Sequence, residues 1–62
     1  MVFNCPLNIG DLVEDSDPYK SPELYKGHGV ITMILNDNYV MVLWFWSEVT
    51  EAVDIGYLEF VN

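Results

Sequence analysis

Apolar and polar positions alternate along this chain only in short bursts, and no stretch sustains the spacing of an amphipathic helix. Asn8-Ile9-Gly10-Asp11-Leu12-Val13 reads as a turn entering a first short strand, with Gly10 supplying backbone freedom at the turn. From Glu14 to Lys26 the pattern turns polar. Asp15, Ser16, Asp17, Pro18, Ser21 and Pro22 crowd there, and the prolines disfavour helix at the residues before them, which predicts a long loop. Tyr19, Leu24 and Tyr25 are expected to pin that loop onto the body.

Gly27-His28-Gly29 then opens a second strand, Val30-Ile31-Thr32-Met33-Ile34-Leu35, rich in β-branched residues. Asn36-Asp37-Asn38, three side chains tolerant of left-handed turn geometry, separates it from a third strand, Tyr39 to Trp46, and marks the clearest hairpin. A weaker strand near Glu51 to Asp54, a turn around Ile55-Gly56 and a closing strand from Tyr57 to Val61 complete the pattern.

The third strand carries the most information. Successive strand side chains point to opposite faces, so Val40, Val42, Trp44 and Trp46 share one side, and Tyr39, Met41, Leu43 and Phe45 the other. Both sides are apolar, whereas a strand with one face in water normally alternates with polar residues. With Trp44 inward, Tyr39, Met41, Leu43 and Phe45 form the candidate partner-binding face. Its cover is either another chain or the protein's own loop and N-terminal arm, through Phe3, Leu7, Leu24 or Tyr25.

Strand, long loop, hairpin, short strand, tight turn and final strand is the order of a small five-stranded SH3-like barrel. Gly10-Asp11-Leu12-Val13, Gly27-His28-Gly29-Val30-Ile31 with Ile34, Val40-Met41-Val42-Leu43-Trp44 and Leu58-Glu59-Phe60-Val61 carry the pattern. In this spacing the chain resembles the short SH3-like barrel proteins of bacteriophages, and more distantly Tudor, KOW and RNA polymerase-interacting barrels. The resemblance implies one mostly β domain over residues 1–62 and a role in binding other macromolecules.

Size and charge narrow the function. A chain of 62 residues buries only about 60% of the surface it exposes when unfolded, which leaves little core for an active-site cleft. Ten acidic residues face Lys20 and Lys26 with no arginine, a formal charge of −8. Binding to phosphates draws its strength from Lys and Arg, so direct nucleic-acid binding is disfavoured, as is attraction to anionic lipid. A basic protein surface would attract this chain. The longest apolar run is shorter than the roughly 20 residues of a membrane-spanning helix, the N-terminus lacks a basic leader, and Cys5 has no cysteine partner. A soluble protein of the host cytoplasm or a virion is the expectation.

Candidate chemistry is sparse. His28 is the single histidine, and no serine or threonine stands in a nucleophile motif beside it. Its flanking glycines read as turn residues. Glu14, Asp15 and Asp17 fall short of a calcium-loop pattern, and Cys5 has no basic neighbour to activate it. The expectation is a protein without catalytic, metal or cofactor site, acting on a protein partner: an accessory or structural component that docks onto a larger assembly. An acidic inhibitor of a host nucleic-acid enzyme is the alternative. A third reading is an aromatic cage for a cationic ligand, drawn from Tyr19, Tyr25, Trp44, Trp46 and Tyr57.

Overall fold

The computed structural model describes residues 7–61. Five strands, β1 (Leu12–Asp15), β2 (His28–Ile34), β3 (Tyr39–Trp44), β4 (Thr50–Asp54) and β5 (Leu58–Phe60), form one antiparallel sheet in the order β4-β3-β2-β1-β5. Two one-turn 3-10 helices, Pro22–Leu24 and Ile55–Tyr57, complete the regular structure of the described residues. β4 and β5 are the two edges and do not pair with each other, so the sheet is open.

That sheet is nonetheless forced to curve. Four strand spacings of about 4.8 Å would hold the edges of a flat sheet about 19 Å apart. The link between the edge strands is only Ile55–Tyr57, and even an extended link of that length reaches about 14 Å. Curvature enters through β2, where the register with β3 slips between Ile31 and Met33, a bulge that bends the strand. Val53 from one edge and Leu58 from the other therefore pack on the same core of Leu7, Val13, Ile31, Val40, Val42 and Trp44.

The hairpin forms where the asparagines stand, by a different device from the one expected. Among the described residues, Glu48 alone combines a side chain with positive φ, so Asn36, Asp37 and Asn38 are not left-handed. Instead the Asn36 side-chain oxygen accepts from the Asn38 N–H at 2.7 Å and the Tyr39 N–H at 2.9 Å, holding the turn by side-chain capping.

Several boundaries move. β1 runs on through Glu14 and Asp15, so the long loop starts at Ser16; β2 begins at His28 and ends at Ile34; β5 spans only Leu58–Phe60. The largest correction concerns Trp46, expected inward beside Trp44 but 92% exposed. β3 ends at Trp44, whose carbonyl accepts from the Glu48 N–H at 2.8 Å while its own N–H donates to the Val49 carbonyl at 2.9 Å. Two-residue alternation does not survive that turn, in which Glu48 takes φ 59°.

Candidate functional site

Up to Trp44 the alternation in β3 holds: Val40, Val42 and Trp44 are buried, while Tyr39 is exposed and Met41 and Leu43 are half-buried. Directly paired residues share a face of the sheet. Leu12, Val30, Leu43 and Thr50 thus form one row across the outer side, and Met33, Met41 and Ala52 a second. Leu12, Met33 and Tyr39 stand exposed at the margins of this apolar face. Phe45 lies one residue beyond the strand, exposed in the turn, with its N–H donating to the His28 carbonyl at 3.0 Å.

The residues considered as a cover for this face have other places. Leu7 belongs to the inner core, Leu24 and Tyr25 border a groove at the end of the sheet, and Phe3 lies outside the described residues, as does Cys5. Tyr19 and Leu24 are exposed and do not pin the loop; Tyr25 is fastened by its hydroxyl, which donates to Glu14.

Asp15 is the loop's organiser. Its carboxylate accepts from the Lys20 ammonium at 2.8 Å, the Lys26 N–H at 2.9 Å and the Asp17 N–H at 3.4 Å, while its own N–H donates to the Gly27 carbonyl at 2.9 Å. One side chain, 4% exposed, ties both ends of the loop together. Lys26 in turn donates to Glu51, whose carboxylate also accepts the Trp44 indole N–H at 3.0 Å. Both lysines are thereby engaged within the protein.

These contacts set a pH dependence. Burial disfavours the Asp15 charge, but the bonds from Lys20, Lys26 and Asp17 outweigh it and hold the carboxyl below its ordinary range. The Lys26 ammonium, against the opposing effect of burial and with help from the Trp44 N–H, holds Glu51 down likewise. A folded pKa below the unfolded one stabilises the fold above the unfolded value and loses that contribution as pH falls through the folded value. Thermal melts from neutral pH to about pH 2.5 should show stability falling below about pH 4. Asp15→Asn should be less stable at neutral pH and show a shallower fall; an unchanged profile would remove Asp15 as its source.

Between the loop and the β3–β4 turn lies an open groove of about 640 Å³, to which the loop contributes Glu23, Leu24 and Tyr25, and the end of β3 with the turn contributes Trp44, Trp46 and Val49. Of the five aromatic residues considered for a cage, Tyr25, Trp44 and Trp46 meet here, whereas Tyr19 and Tyr57 do not line it. Leu24 is read from the sequence as a pin or a cover and not as a groove residue, and Val49 and the groove itself escaped the sequence reading. The two segments lie about twenty residues apart, and only the pairing of β2 with β3 brings them together.

His28 faces outward opposite Glu14, its Nε2 4.0 Å from the carboxylate. Gly27, at φ 77°, makes the turn into β2, but Gly29 does not: it lies buried within the strand, directly opposite Trp44. Among the described residues, no group of three or more His, Cys, Asp or Glu side chains is placed to hold a metal ion, and no helix is long and apolar enough to cross a membrane.

No protein-family model matches the chain, and neither does any curated protein or any solved structure. Its geometry defines a small antiparallel β domain, strongly acidic, with an apolar outer sheet face and a separate aromatic groove.

Proposed function

We propose that this chain is a non-catalytic protein-binding module on an SH3-like barrel, docking onto a larger protein assembly through the outer face of β2 and β3. The barrel reading is supported by the strand order, by the one-turn 3-10 link between β4 and β5, and by the meeting of Val53 and Leu58 on one core. The docking reading rests on one observation: Leu12, Val30 and Leu43, with Met33 and Met41 beside them, form an outward apolar surface at the centre of the sheet. Soluble proteins rarely expose contiguous apolar area without a contact to make, and Met is enriched at such contacts. The resemblance to small phage barrels makes a virion or accessory complex the natural setting.

A charge placed on this face tests the reading. Met33→Asp, at a position 54% exposed, should keep the circular dichroism spectrum and melting curve of the wild type. Met41→Asp, half-buried, should cost some stability as well. Both should lose the partners that wild-type protein captures from its native host, because an unpaired charge desolvated at an interface costs several kcal/mol. Undiminished capture by folded Met33→Asp would overturn the assignment.

A second reading, an acidic inhibitor seated in a basic nucleic-acid channel, is supported by the charge of −8 and by the engagement of both lysines inside the fold. Salt separates the two. Channel binding should weaken steeply with ionic strength, whereas apolar docking should not.

A further inference from the structure

We propose that the groove between the loop and the β3–β4 turn is a second binding site, taking a peptide segment of another protein that carries a Lys or Arg next to an apolar side chain. The cation would lie against the Trp46 ring and Glu23, and its apolar neighbour against Leu24 and Val49. This site is distinct from the outer sheet face and does not rest on that face being a docking surface.

Shape, ring exposure and charge each favour that occupant. The volume of about 640 Å³ falls within the roughly 300–1,000 Å³ of ligand sites. Trp46 is 92% exposed, so its apolar ring stands in water with a face open to a cation. The Trp44 N–H is already taken by Glu51, so that ring offers the groove an apolar surface and no free donor. Among the described residues, Lys26 is the single basic one lining the groove, and its ammonium is held by Glu51, so the cation there is neutralised from within.

The same arithmetic disfavours other occupants. An anionic ligand would meet Glu23 and a chain of net charge −8. A second copy of the chain brings that same charge, and its two lysines are already paired with Asp15 and Glu51. A basic segment is drawn in by the field and finds an aromatic face and a carboxylate at its destination.

The test is a titration of the 15N-labelled protein with three peptides that share a Gly-Ser frame and differ in a central Leu-Lys-Leu, Leu-Arg-Leu or Leu-Glu-Leu. The Lys and Arg peptides should shift the amides of Leu24, Gly27, Ser47 and Val49 and the Trp46 indole N–H, and should bind more weakly in high salt. The Glu peptide should leave those signals in place. Trp46→Ala, expected to melt like wild type, should weaken binding about tenfold, and Glu23→Gln about threefold. Trp46→Leu, which keeps an apolar side chain but removes the ring face, should reduce the preference for a basic peptide over an uncharged Leu-Gln-Leu one to the share that Glu23 and the net charge supply. Met33→Asp should bind as wild type, which separates this site from the outer face. Equal binding of Lys and Glu peptides, shifts centred on Met33 and Met41, undiminished binding by Trp46→Ala, or self-association abolished by that substitution would each overturn the proposal.

Discussion

Trp44→Ala is expected to unfold the domain. The side chain is 1% exposed and is the largest in the core, and its removal takes away the common contact of β3 with the strands around it. Buried aromatic residues cost about 3–5 kcal/mol when cut to alanine. A single core at this chain length rarely supplies more than about 3–5 kcal/mol in total. The substitution also takes the indole N–H at 3.0 Å from the Glu51 carboxylate and leaves it with Lys26 alone. Circular dichroism and urea denaturation check this, and a folded variant with an unchanged melting curve would place Trp44 outside the stabilising core.

Gly29→Ala should weaken the fold markedly although it adds only a methyl group. A Cβ built at that position would stand 2.7 Å from the Leu43 carbonyl oxygen, 2.7 Å from Val42 Cγ1 and 3.0 Å from the Trp44 ring. The first of these is backbone and cannot swing aside. Either β2 must draw away from β3 or Trp44 must leave its place, and overpacking of this kind costs about 1–3 kcal/mol. A ring-current change in the Trp44 neighbourhood should accompany a lowered urea midpoint. Stability within about 0.5 kcal/mol of wild type would show that the strands part easily there.

These two residues also mark how far the sequence could be read. Trp44 was legible as a core residue because Val40, Val42 and Trp44 keep strict alternation within one strand, and alternation is a local property. The Asn36 hairpin was legible for the same reason: a turn is decided by a few consecutive residues. Trp46 was misplaced because an aromatic residue after an apolar run looks the same whether the strand continues or turns. The turn is decided by Glu48 and Val49, which bond back to Trp44. Gly29 looked like half of a turn beside Gly27, and its service to the Trp44 ring became visible only through the register of β2 against β3.

The candidate site divides the same way. Tyr39, Met41 and Leu43 could be assigned a common face from spacing alone, whereas Leu12, Val30 and Met33 joined them only once the cross-strand pairs were known. Asp15 read as one acidic loop residue among several. Its hold on Lys20 and Lys26 spans up to eleven residues, a distance over which composition carries no pairing information.

The engagement of both lysines has a practical consequence for anyone handling the protein. Lysine amines are the usual points of attachment for dyes, surfaces and acetyl groups, and on most proteins such attachment is a cosmetic change at the periphery. Here neither lysine is a spare handle: capping Lys20 would detach the carboxylate that gathers the loop, and capping Lys26 would release the one that holds the Trp44 indole. Acylating both would carry the formal charge from −8 to −10, since each loses one positive charge. Labelling through amines would thus report on a different molecule.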